Sequence, residues 1–315
     1  MSRWLVAVTL FAALAAAHAQ SYPTRPIRMI VASTPGSGVD IVARIVAQRM
    51  SETLRSSIVV DNRAGAGGTI GVQMASKAAP DGYTILMAAP SLTINALLVQ
   101  PAPYDAIRDF SAIGQATTSH YVIVVNPSLP VRTVKELIAL AKAKPGQLNY
   151  GSGGNGNSTH LAAEYFKSLT GTDIVHVAYK GSGPAMVDLL GGQVQVMFAN
   201  VVAVLPHMKS GKLRALATTA QSRSLATPEV PTVVESGVPG YVVTSWFGLL
   251  APARTPQPYV VKLNAALVAA MRERDMLARL ASEGAEPATG TPEAFARHVA
   301  SELAIWGRVI KASGL

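Results

Sequence analysis

The chain has no cysteine among its 315 residues, and little charge: Asp, Glu, Lys and Arg together make 14% of it. Without cysteine there is no disulfide framework, no thiolate metal site and no lipid-modified cysteine anchor. The six histidines are equally uninformative for a metal, because His120, His160, His176 and His207 lie far apart with no H-x-x-x-H spacing. Long apolar runs are scarce as well. Trp4–Ala17 is too short for a comfortable membrane span, and no later stretch is long enough to be one. With Arg3 before it and Ala17-His18-Ala19 after it, that run reads as a cleavable signal peptide over residues 1–19. An exported chain of about 295 residues is expected, with the bacterial periplasm as its compartment and room for two domains on a prior of roughly 150 residues each. The net charge of +9 comes from Lys and Arg scattered singly. With no basic run interleaved with aromatics, no nucleic-acid partner is expected, only solubility and a mild attraction for anions.

What the chain does have is glycine loops that open onto helices. Ile27–Val31 is a β-branched run followed by Ala32-Ser33-Thr34-Pro35-Gly36-Ser37-Gly38 and a helix from about Val39 to Leu54. Further on, Leu148–Tyr150 enters Gly151-Ser152-Gly153-Gly154-Asn155-Gly156, and Asn157 and Ser158 offer caps for a helix over 159–169. Strand, glycine loop and helix start together make an anion site, since the backbone can approach a ligand and the free N–H groups of the first helical turn point at it. The order strand, loop, helix, strand, loop, helix, strand occurs twice, over residues 27–91 and 148–200, which predicts two α/β lobes of similar build. Ligands of open α/β sheets bind at the carboxyl ends of the strands. Between the copies, Tyr121–Val125 is a strand, and Thr133 with Glu136 spells a capping box for a helix over 134–142. Ser245–Ala251 is a second apolar strand, and the strands near 121 and 247 suit the two connections between lobes. Trp246 and Phe247 read as core or hinge packing. Two C-terminal helices are predicted, about Pro258–Arg274 and Pro292–Ile310.

Enzymatic readings are weak. Gly151-x-Gly153-x-x-Gly156 with Asp173 downstream formally matches a dinucleotide loop, but the strand before it is very short and an exported chain meets few nicotinamide cofactors. Ser152 or Ser158 with His160 could be imagined as nucleophile and base, yet no G-x-S-x-G elbow exists. No catalytic residue, metal or cofactor is therefore expected. Asp40, in a first helical turn, is read as a partner of the helix dipole.

Several stretches together resemble the Bug/TctC-type extracytoplasmic solute receptors of tripartite tricarboxylate transporters. They are Pro23–Val31, Pro35–Arg44, Val59–Gly71, Ala78–Thr84, Asn126–Leu161, His176–Phe198 and Ser245–Pro252, in order along nearly the whole exported chain. The resemblance implies a two-lobed periplasmic binding protein of type II-like α/β architecture, each lobe a mixed sheet flanked by helices, with the ligand cleft between lobes. Lobe 1 is expected over residues 22–120 plus 246–315, and lobe 2 over 121–245. It implies a monomer that captures a small carboxylate (dicarboxylate, tricarboxylate, amino acid or aromatic acid) and delivers it to membrane permease subunits; the alternatives are docking to a membrane sensor and, less favoured, an exported enzyme acting on a carboxylate with His160 as its only acid or base. Carried over by position, the ligand-binding residues are Thr34, Gly36, Ser37 and Gly38 of the first loop, and Ser152, Gly153, Asn157, Ser158, Thr159 and His160 of the second. Ala89, Ser91 and Asn200 complete the set. The chain departs from the family pattern at Ser37, where a second glycine is usual, and at Ala199, where an acidic residue is frequent. That loss removes a carboxylate that could have met a ligand ammonium group.

Overall fold

A computed structural model describes residues 22–315, so the expected signal peptide lies outside the described residues. Strand β1 (Ile27–Val31) pairs in parallel with β2 (Ile58–Asn62) on one side and β3 (Thr84–Ala88) on the other. Its apolar run is buried on both faces, as parallel strands covered by helices require. Helix α1 (Gly38–Leu54) connects β1 to β2, and α2 (Thr69–Ser76) connects β2 to β3. After β3 comes α3 (Ser91–Leu98), where the sequence suggested only a loop.

The chain then runs through the sixteen-residue strand β4 (Phe110–Val125). Its first part, Phe110 to His120, pairs antiparallel with β9 (Thr244–Pro252), and β9 also pairs with β3. From Tyr121 onward β4 pairs instead with β7 (Val196–Asn200) and β8 (Arg214–Thr218). One strand therefore belongs to two sheets. The change of partner falls between His120, opposite Thr244, and Tyr121, opposite Asn200. The expectation of a strand starting at Tyr121 was too short, because Ser111, Gly114, Gln115 and the Thr117-Thr118-Ser119 run interrupt the apolar pattern of its first half.

The second sheet repeats the first in outline. Helix α4 (Val134–Ala143) starts at the predicted capping box, with Thr133 and Glu136 each bonded to the other's backbone. Strand β5 (Leu148–Ser152) pairs in parallel with β6 (Ile174–Ala178) and β7. Helices α5 (Ser158–Thr170), α6 (Ser182–Leu190) and α7 (Val201–Lys209) follow β5, β6 and β7 in turn. Helix α7 was not among the expected elements; its Pro206, in the sixth position, leaves the first turn intact.

The C-terminal region holds three helices rather than the two predicted. They are α8 (Gln257–Ala270), α9 (Arg274–Ser282) and α10 (Pro292–Ala312), with the short strand β10 (Glu286–Pro287) against β4. Helix α10 is pinned through Glu302, whose carboxylate accepts from the indole N–H groups of Trp246 at 2.8 Å and Trp306 at 2.9 Å. The architecture is two α/β lobes joined by β4 and β9. No helix among the described residues is long and apolar enough to cross a membrane.

Candidate functional site

Between the lobes lies a cavity with roughly 50 Å³ of room for water centres. At about 10–15 Å³ per water this corresponds to only a few waters, the scale of a small organic molecule. Its wall is built from the carboxyl ends of strands and the helix starts that follow them. Ala32 and Ser33 leave β1, Met87, Ala88 and Ala89 end β3, and Asn200 ends β7. Ser37, Gly38 and Val39 open α1, Ser91 opens α3, Asn157, Ser158 and Thr159 open α5, and Ser182 opens α6. With Asn200 capping α7, five helix N-termini reach one small space. Each brings N–H groups without intrahelical acceptors and the positive end of its dipole. No Asp, Glu, Lys, Arg or His lies among the residues lining it. The site is electropositive without holding a formal cation.

Caps fix the loops in place. Asn157 accepts from Thr159 N at 3.1 Å, and Thr159 Oγ1 accepts from Gly153 N at 3.0 Å. Asn200 accepts from Val202 N at 3.1 Å and donates to Ser119 Oγ at 2.8 Å. Ser37 Oγ donates to the Thr34 carbonyl at 2.8 Å. Asp40, 3% exposed, accepts from Gly36 N at 3.0 Å, from Asn62 at 2.9 Å and from Arg44, so its charge is spent on the loop.

Of the thirteen sequence-selected residues, eight line the cavity: Ser37, Gly38, Ala89, Ser91, Asn157, Ser158, Thr159 and Asn200. The other five stand behind or beside it. Thr34 Oγ1 accepts from Gly183 N at 3.1 Å, tying the first loop of one lobe to α6 of the other, and Gly36 is exposed beyond it. Gly153 faces Asn157. Ser152 is fully buried, and its hydroxyl meets His176 Nε2 at 2.6 Å and takes a bond from Gly154 N at 3.1 Å. His160 stacks on His176 with ring centroids 4.1 Å apart, His176 stacks in turn on Tyr150 at 4.8 Å, and His160 Nδ1 accepts from Gly156 N at 3.3 Å. The three rings stack in a row against the glycine loop, and none of them lines the cavity. Burial lowers both imidazole pKa values, that of His176 to about 4, so the rings are neutral supports. The Ser–His contact that does form uses His176, and neither of its residues lines the cavity.

Ten lining residues escaped selection, among them Tyr121, Ser182, Ser245 and Phe247. Tyr121, Ser245 and Phe247 sit on the connecting strands, where alternation cannot tell a wall residue from a core one. Ser182 follows a lysine and a glycine at a helix start, the signal that picked out Ser158, and could have been found the same way.

The lobes touch around the cavity. The Thr34 side chain lies where a Cβ on Gly181 would come within 2.5 Å, and the Pro35 carbonyl is 2.5 Å from where a Cβ on Gly183 would sit. Gly67 is as close to the Asn155 carbonyl, and Asn95 Nδ2 donates to Gly67 O at 3.0 Å.

Comparison with known proteins agrees with this fold. Residues 42–315 match the family described as "Tripartite tricarboxylate transporter family receptor", TctC. Protein BugT of Bordetella pertussis is 38% identical over 320 aligned residues, covering 100% of this chain and 98% of that one. Among solved structures, R. palustris Rpa4515 with adipate aligns at a TM-score of 0.90 and 37% identity, covering 93% of this chain and 98% of the other. MatC from Rhodopseudomonas palustris with bound malate aligns at 0.88 and 31% identity, covering 92% and 100%. The family is one of solute-binding receptors, not of enzymes. The chain belongs to the TctC family of tripartite tricarboxylate transporter receptors.

Proposed function

We propose that this receptor captures a small carboxylate in the periplasm by closing its lobes on it, and hands it to the permease subunits of a tripartite transporter. The observation that carries the reading is the cavity wall: five helix starts and a ring of hydroxyls converge on a space without an ionised side chain. Such a wall stabilises one negative charge, each helix end contributing roughly 0.3–2 kcal/mol. It has no carboxylate with which to hold an ammonium group, and Ala199 beside Asn200 is apolar and buried. The cavity's size selects small acids, and the adipate and malate held by the two related structures are of that class. On this reading Ser37, Gly38, Asn157, Ser158 and Thr159 hold the carboxylate, and Ser91, Ala89 and Asn200 complete the wall. Thr34, Gly36, Ser152, Gly153 and His160 hold the loops that do so. The lobes are residues 22–120 with 246–315, and 121–245, hinged where β4 changes partner. The ligand favours the closed form because only there do both lobes contact it.

Replacing Ser158 by proline tests the backbone cradle. Ser158 is the first residue of α5, and Asn157 before it has φ −70° and ψ 150°, a conformation that tolerates a following proline. The change removes one N–H and one hydroxyl without breaking the helix. Titration calorimetry against four- to six-carbon mono- and dicarboxylates should show at least about a tenfold loss of affinity, with the melting temperature little changed. Glutamine at Lys209 and Lys212 should leave affinity intact. If those lysine changes abolish binding, or if the wild type binds none of these acids, the reading is wrong.

A further inference from the structure

The Tyr121 hydroxyl is a buried polar group with no partner. The residue is 1% exposed, its phenolic oxygen makes no hydrogen bond, and it forms part of the cavity wall. Native proteins pair nearly all such groups, and leaving one unpaired is costly. Nor can the ring easily turn away. Its backbone is held at both ends by Thr219, which accepts from Tyr121 N at 3.0 Å and donates to Tyr121 O from its own N at 2.9 Å. The ring itself is packed in the core of the second lobe among residues such as Ile123 and Phe198.

The groups around the phenol include the hydroxyls of Ser158 and Ser245, which favour its ionised form but lie outside hydrogen-bonding geometry, and the Glu302 carboxylate, which opposes ionisation. Burial outweighs the two hydroxyls and pushes the phenol up to about 12, so at neutral pH it keeps its proton. Ser158 is also the first residue of α5, where the proposed carboxylate is held. The phenol therefore stands one side chain away from the carboxylate, in a cavity whose wall also includes the apolar side chains of Val72, Met87 and Phe247.

We propose that Tyr121 sets the receptor's specificity: its O–H donates to an oxygen on the carbon next to the ligand carboxylate, so that the cleft takes 2-hydroxy and 2-oxo acids in preference to the unsubstituted acids. This rests on the carboxylate reading of the cavity and goes beyond it, because backbone amides alone read the carboxylate and not its neighbour. A site built to bond a ligand oxygen rejects the analogue lacking it, since its own polar group is then left unpaired.

The test compares matched pairs, succinate with malate and glutarate with 2-oxoglutarate, by calorimetry on wild type and Tyr121→Phe. Wild type should bind the oxygen-bearing member of a pair at least about tenfold more tightly. Tyr121→Phe should bring the pair to within about twofold, by loss on the oxygen-bearing member alone. Its ligand-free melting temperature should be equal to or above that of wild type, because the hydroxyl it removes has no protein partner. Equal loss on both members would mean that the phenol bonds the carboxylate itself, and an unchanged ratio would mean that it only packs; either overturns the proposal while leaving the carboxylate reading intact. Failure of wild type to bind any of the four acids overturns this proposal, and the carboxylate reading falls with it only if the wider set of four- to six-carbon acids also fails to bind.

Discussion

Asp40 shows how a single residue can look like a ligand contact and serve the loop instead. A carboxylate in the first turn of α1, beside an anion site, would repel the ligand if its charge were free. Arg44, Asn62 and the Gly36 N–H engage it instead, and those bonds hold the turn that presents Gly38. The buried imidazoles carry a comparable consequence for acid stability. His120 and His176 are both lowered from 6.5 to about 4, chiefly by burial. Between those two values the unfolded chain binds protons that the folded chain refuses, so stability is full above about pH 6.5 and falls as pH drops toward 4. Melting temperature should decline over that window in wild type, and decline less in a His120→Gln/His176→Gln double variant relative to its own value at pH 7. The cap residues Ser37, Asn157, Ser158 and Thr159 were legible because a glycine loop before a helix has few other readings. Tyr121 was not. An aromatic in the run Tyr121–Val125 is what a core strand also looks like, and only the register opposite Asn200 turns its hydroxyl into wall.

At the scale of elements, the legible parts were those whose signal is local. The capping box at Thr133 and the proline after Thr291 marked their helices correctly. Helices α3 and α7 were missed; each carries a proline, Pro90 as the N-cap of α3 and Pro206 past the middle of α7. The single C-terminal helix expected to reach Arg274 ends at Ala270, and a second begins at Arg274. What holds α10 against β9 is Glu302, 4% exposed, accepting from two buried indoles. Glu302→Met would leave both indole N–H groups without an acceptor, at a cost of roughly 2–5 kcal/mol. Scanning calorimetry should show a fall of about 5–15 °C, with Glu302→Gln, which keeps an acceptor oxygen, falling less.

For the whole molecule, the contact between lobes is made close by glycines, against which Thr34 and the Pro35 carbonyl pack. Gly183 is the informative position, since a Cβ there would press on the Pro35 carbonyl across the cleft while its own backbone lies outside the positive-φ region. Gly183→Ala should therefore be neutral for each lobe alone and unfavourable for closure. Small-angle scattering should show a ligand-saturated variant that stays more extended than wild type, with weaker ligand affinity and an unchanged ligand-free melting temperature; a scattering profile identical to wild type would show that the lobes do not separate at this seam. The two-lobe plan itself was legible from the repeated order of elements, whereas the seam was not, because glycines that touch across a cleft read in sequence as ordinary loop glycines. The place of β9 has a consequence for how the chain is made. It lies between β3 and β4, so the first sheet has an open slot until residues 244–252 exist. A ribosome must deliver more than three-quarters of the polypeptide before that sheet can close, and until then the early strands have no complete fold to enter. Such a delay keeps the nascent chain threadable, which is the state that a translocation channel accepts.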